Sequence, residues 1–109
     1  MSIARAPFGV TPDGRQIDAF TLTNAHGLSL KILTLGAIVQ SVRAPDRNGR
    51  FADIVLGFEN LARYLDNRDC VGCIIGRYTN RIARGRFRLD GRDHLLSRNE
   101  GENTLHGGA

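Results

Sequence analysis

Along "DAFTLTN" (residues 18–24) the side chains alternate, with Ala19, Thr21 and Thr23 on one parity and Phe20 and Leu22 on the other. A period of two marks a strand whose faces meet different surroundings. "NAHG" (residues 24–27) reads as a turn, and "LSLKILTL" (residues 28–35) sets Leu28, Leu30 and Ile32 on one face of a second strand. Gly36 permits a bend or bulge before "AIVQSVRA". "PDRNG" (residues 45–49) is turn chemistry, because proline presets φ and Asn-Gly tolerates positive φ. "FADIVLGF" (residues 51–58) then reads as another strand. Short strands separated by glycine-bearing turns predict an antiparallel all-β architecture.

One helix interrupts the pattern. In "ENLARYLDN" (residues 59–67), Leu61, Tyr64 and Leu65 recur at i, i+3 and i+4, an apolar stripe over about two turns. "CVGCIIGRY" (residues 70–78), β-branched and broken by glycine, reads as a strand. "RFRLDGRDHLL" (residues 86–96) reads as a hairpin, with Asp90-Gly91 as the central pair of a type I′ turn. No repeat, low-complexity tract or linker divides residues 1–109, so one domain without an internal boundary is expected.

Composition narrows the classes. With 109 residues, 41% hydrophobic and 24% charged, the chain is ordinary for a globular domain and unlike a disordered one. The net charge of +4 comes from 15 basic residues, of which only Lys31 is not arginine. That balance permits anionic partners without requiring them. "MSIARAPFGV" has no apolar run of the secretory kind, and nothing approaches the ~18 consecutive apolar residues of a membrane span. A cytoplasmic location, no membrane partner and reduced cysteines are the expectation.

Few residues carry candidate chemistry. Cys70 and Cys73 form a C-x-x-C pair, but a strand would turn their sulfurs to opposite sides, and a zinc site needs two further ligands. His26 and His94 lack carboxylates at ligand spacing, whereas His106 precedes Gly107-Gly108, where missing Cβ atoms admit close approach. Five arginines (Arg77, Arg81, Arg84, Arg86, Arg88) run without an acid among them. Interleaved with Tyr78 and Phe87, they raise a single-stranded nucleic acid reading, but their spacing does not make one stripe. Asn80-Arg81 offers another: a guanidinium fork beside an amide supplies donors and an acceptor suited to vicinal hydroxyls.

Taken in order, "LTLGAIVQSVRAPDRNGRFADIVLGFENLARYL", "GCIIGRYTNRIARGRFRLDG" and "NTLHGG" closely resemble the N-terminal part of the aldose 1-epimerase (galactose mutarotase) family, from about Ile17 to Gly108. The resemblance implies an antiparallel β-sandwich of the galactose mutarotase-like (supersandwich) type, of which this chain is an N-terminal portion with one short helix. It implies interconversion of the α and β anomers of aldohexoses such as galactose and glucose. A glutamate general base takes the C1 hydroxyl proton, a histidine general acid protonates the ring oxygen, and the opened ring recloses on the other face.

Carried onto this sequence, the resemblance makes Asn80 and Arg81 a sugar-binding pair and His106 a substrate-orienting group. It puts neither catalytic group in these 109 residues: neither Glu100 nor Glu102 matches the base, and the acid and base are expected in the family's C-terminal part. His94 stands where the family has an aromatic, and Glu102 where it has proline. No metal or organic cofactor is implied. The expected partner is a small aldose sugar rather than nucleic acid or membrane, and a C-terminal complementing chain would complete the fold. The alternatives are a non-catalytic sugar-binding remnant or one half of a split enzyme.

Overall fold

Asn24 and Asp46 each close a turn by the same device. The Asn24 side-chain oxygen accepts from the N–H groups of His26 (2.9 Å) and Leu28 (3.0 Å). The Asp46 carboxylate accepts from those of Asn48 (2.7 Å) and Arg50 (2.9 Å). Short polar side chains that mimic a backbone turn fold the chain back sharply. These turns belong to the first of two compact units, Met1–Ile74 and Ile75–Ala109, in a computed structural model that describes residues 1–108.

The first unit is an antiparallel meander in the order β1 (Ser2–Val10), β2 (Gln16–Thr23), β3 (Ser29–Leu33), β4 (Val39–Pro45) and β5 (Phe51–Asp53). Register follows the alternation in the sequence. Ile3 pairs with Leu22, Leu22 with Leu30, and Leu30 with Val42, so one face carries an apolar row. On the other face Ile17, Ala19 and Leu33 are buried with Ile38, Leu61 and Tyr64. A register shift between Pro7 and Gly9 takes Phe8 out of the ladder. Its ring centroid lies 6.0 Å from that of Tyr64. Gly9 is there by necessity, since a Cβ would sit 2.9 Å from Leu61 Cβ.

The helix α1 (Leu61–Leu65) is capped by Asn60, whose side chain accepts from Arg63 N–H at 3.2 Å. Leu61 and Tyr64 are buried, while Leu65 is exposed. The Tyr64 hydroxyl accepts from Phe58 N–H at 2.8 Å, so the helix also fixes the irregular segment before it.

One strand was missed and two readings of the sequence are corrected. The nine-residue edge strand β1 was not foreseen, because its alternation is broken by Pro7 and Gly9. "FADIVLGF" is a strand only to Asp53. There the carboxylate accepts from Val42 N–H (3.1 Å) and Val55 N–H (3.2 Å), so only half of the next rung, Ile54 N–H to Val42 C=O at 2.9 Å, is made by backbone. "CVGCIIGRY" is not a strand. The Asn67 amide accepts from Val71 N–H (2.9 Å) and donates to Val71 C=O (2.8 Å), drawing the segment into a turn with Cys73 N–H donating to Cys70 C=O at 3.1 Å. The two thiols are therefore neighbours rather than on opposite faces. Burial first, then the nearby Cys70, pushes the Cys73 thiol up, away from the reactive thiolate form.

The second unit holds two small antiparallel sheets. β7 (Arg86–Leu89) and β8 (Arg92–Leu95) form the expected hairpin, with Asp90 (φ 49) and Gly91 (φ 75) both in the left-handed region that a type I′ turn demands. Phe87 is paired with His94, and their rings stack at 4.9 Å and 10°. Histidine thus keeps the flat packing partner that an aromatic supplies. β6 (Arg81–Ile82) pairs with β9 (Thr104–Leu105) through Arg81↔Leu105 and Ile82↔Thr104. Thr104 is fully buried and its hydroxyl donates to Ser97 C=O at 2.6 Å.

Candidate functional site

The short β6–β9 ladder positions the three residues singled out above. Just beyond its last pair, the chain enters β6 through Asn80 and leaves β9 through His106. His106 N–H donates to Asn80 C=O at 2.9 Å. In return Asn80 N–H donates to Nδ1 of the His106 ring at 3.0 Å. Both residues have left-handed backbones (φ 68 and 54), which turn the flanking chain off the ladder. Nδ1, being an acceptor, is unprotonated in this arrangement; in the neutral ring the proton then sits on Nε2, which becomes a donor.

Gly107 (φ 94) explains why glycine follows the histidine. A Cβ there would lie 2.3 Å from Gly76 C=O, so the chain's own 76–77 backbone is the close neighbour. At Gly108 (φ 87) a Cβ would meet the Ser97 hydroxyl oxygen at 2.2 Å.

Arg81 is held from two sides. Its Nε and one Nη donate to the two oxygens of Glu100, each at 2.5 Å, and its other Nη donates to the Asn80 side-chain oxygen at 3.2 Å. Three of the five guanidinium N–H groups are thereby used, and two remain. Glu100, which the sequence reading set aside, is the residue that reasoning missed. No periodicity relates positions 81 and 100; only the fold makes them neighbours. Hydrogen bonding from Arg81 first, then its charge, holds the Glu100 carboxyl below its ordinary value of 4.5, and Glu100 raises Arg81 in turn.

Two of the other arginines are engaged locally within the β7–β8 hairpin. Arg86 pairs with Asp93 at 2.6 Å, and Arg88 donates to Gly91 C=O at 3.2 Å. A hollow of about 370 Å³ is lined by Tyr78, Arg81, Ile82 and Phe87, a size that accepts a monosaccharide. A larger hollow of about 660 Å³ in the first unit runs from Thr11 to Ile17 and past Thr34–Gly36. Its charged groups, Asp13 and Arg15, already pair with one another at 2.9 Å. It contains none of the candidate residues. Among the described residues, no group of three or more His, Cys, Asp or Glu side chains could hold a metal ion, and no helix is long and apolar enough to cross a membrane.

An antiparallel all-β protein with one short helix, carrying an Asn–Arg–His polar cluster beside an aromatic-lined hollow, is the class these features define. Residues 18–109 match the family model for aldose 1-epimerase, and the chain belongs to that family. It is 40% identical over 109 residues to a galactose mutarotase of Bos taurus, covering 99% of this chain and 32% of that one. It is 37% identical over 99 residues to an aldose 1-epimerase of Escherichia coli K12, covering 91% of this chain and 29% of that one. The fold is that of a galactose 1-epimerase crystal structure from Lactobacillus acidophilus (TM-score 0.75, 24% identity, 98% of this chain and 30% of that one). A GalM/aldose epimerase homologue from C. elegans is similar as well (TM-score 0.70, 33% identity, 81% of this chain and 27% of that one). The chain thus spans about a third of the length of the curated relatives it matches.

Proposed function

We propose that this chain is the substrate-binding N-terminal portion of an aldose 1-epimerase domain of the β-sandwich type, holding an aldohexose such as galactose through Asn80, Arg81 and His106. The observation that carries the reading is that, at one end of the β6–β9 ladder, the Asn80 backbone N–H holds the His106 ring while the Asn80 side-chain oxygen takes one N–H of Arg81. Arg81 brings two unused N–H donors, and Nε2 of the neutral His106 ring brings a third. Donors fixed by neighbouring hydrogen bonds suit hydroxyl and ring oxygens, and they lower a barrier by fixing geometry and meeting developing charge. The hollow beside Arg81, lined by Tyr78, Ile82 and Phe87, offers an apolar wall to the C–H face of a pyranose.

Anomer interconversion needs a general base at the C1 hydroxyl and a general acid at the ring oxygen. No residue of these 109 is assigned either role. The isolated chain therefore binds sugar without turning it over. Saturation-transfer NMR with D-galactose tests the first half: the sugar signal appears with the chain and disappears with R81A, whereas no signal with the unsubstituted chain contradicts the reading. Polarimetry of α-D-galactose tests the second: mutarotation faster than the buffer rate would show catalytic groups within the chain.

A further inference from the structure

We propose that Glu100 is a positioning residue for sugar recognition, orienting the Arg81 guanidinium so that its two unused N–H groups face the ligand; this rests on the carbohydrate reading above.

The geometry is that of a clamp rather than a casual surface pair. Both Glu100 oxygens engage the side of the fork, at Nε and Nη, each at 2.5 Å. Asn80 takes a donor of the remaining nitrogen at 3.2 Å. Two contacts on different edges of a planar group fix its plane, which one contact does not. The Glu100 backbone is itself anchored. Its N–H donates to Asn103 C=O (3.2 Å) and its C=O accepts from Asn103 N–H (2.9 Å), closing a tight turn over Gly101 (φ 55) and Glu102. Glycine suits the first central position of such a turn, where φ is positive. The carboxylate therefore projects from a fixed point, and as a pure acceptor it leaves the two outward N–H groups unoccupied.

An exposed ion pair adds little to stability. With the Arg81 side chain about half exposed and Glu100 about a third, the pair's consequence lies in orientation rather than in holding the fold. Removing the clamp frees a four-torsion side chain, which must then be ordered each time sugar binds.

The test measures D-galactose dissociation constants by NMR titration for the full chain and for E100Q, E100D, R81K and the R81K/E100Q double variant. E100Q is expected to weaken binding about five- to tenfold, the equivalent of one ordinary hydrogen bond. E100D, which keeps the charge at shorter reach, falls between. In the R81K background E100Q changes binding by less than about twofold, because lysine has no fork to orient. The Arg81 Nε–H resonance, sharp in the unsubstituted chain, broadens in E100Q. Unchanged affinity in E100Q overturns the proposal and leaves the sugar reading standing. The same weakening in both backgrounds also overturns it, since a general structural defect does not depend on arginine. Should E100Q lose its dispersed amide spectrum, E100D decides, and wild-type affinity there overturns the proposal. Failure of the unsubstituted chain to bind overturns the sugar reading and this inference with it.

Discussion

Asn80 and His106, 26 positions apart, exchange two hydrogen bonds: Asn80 N–H donates to the His106 ring at 3.0 Å, and His106 N–H donates to Asn80 C=O at 2.9 Å. The exchange orients the imidazole by backbone alone, and the same residue whose N–H holds the ring also offers its side-chain oxygen to Arg81. Replacing the ring by alanine (H106A) removes the acceptor of the Asn80 amide. Hydrogen exchange at that amide should accelerate at least about tenfold, the equivalent of one modest hydrogen bond. An unchanged rate would contradict the pairing.

Gly107 and Gly91 separate crowding from backbone strain. Both have positive φ, yet a Cβ at Gly107 meets a carbonyl oxygen at 2.3 Å while one at Gly91 meets nothing within 4 Å. G91A should cost only about 1 kcal/mol of conformational strain. G107A should cost about 2–4 kcal/mol or prevent the second unit from folding. Urea denaturation of the two variants checks the difference; equal losses would contradict it.

In the first unit, Y64F removes only the hydroxyl that accepts from Phe58 N–H at 2.8 Å. The loss should be about 1–2 kcal/mol by urea denaturation, because the amide is left without its partner. A neutral result would mean that water replaces the hydroxyl.

Acid sensitivity of the β1–β2 hairpin follows from Asp18. Gln16 donates to its carboxylate at 3.0 Å and Arg5 at 2.6 Å and 3.0 Å, holding its pKa below the ordinary 3.8. A carboxyl depressed in the folded state stabilises it above the unfolded value and loses that contribution as pH falls through the folded one. The urea midpoint should therefore drop below about pH 4, and less steeply in D18N, although Asp13 and Asp53 are depressed too and keep part of the slope. Identical acid limbs would contradict the assignment.

Much of this architecture was legible in the sequence. Alternation found β2, β3 and β4, Asp90-Gly91 found the hairpin, and the order of motifs found the family. β1 escaped because Pro7 and Gly9 break its alternation, and two other readings failed where a side chain captured backbone groups that propensity assigns to a ladder. Asp53 ends β5 by taking Val42 N–H, and Asn67 folds the C-x-x-C segment by taking both polar groups of Val71. Neither event has a period. Asn80, Arg81 and His106 were named from local chemistry and resemblance. Glu100 was missed because its partner lies 19 positions away, and the contact depends on a turn whose geometry rests on Gly101.

In the carbohydrate reading, Asn80, Arg81 and His106 meet a single pyranose. Amide and side-chain NMR shifts of the 109-residue chain titrated with D-galactose test it most directly. The Asn80 and His106 amides and the Arg81 Nε–H should move together with one dissociation constant, while signals around Asp13 and Arg15 in the first unit stay fixed. Shifts confined to other residues, or three different dissociation constants for the three groups, would contradict it.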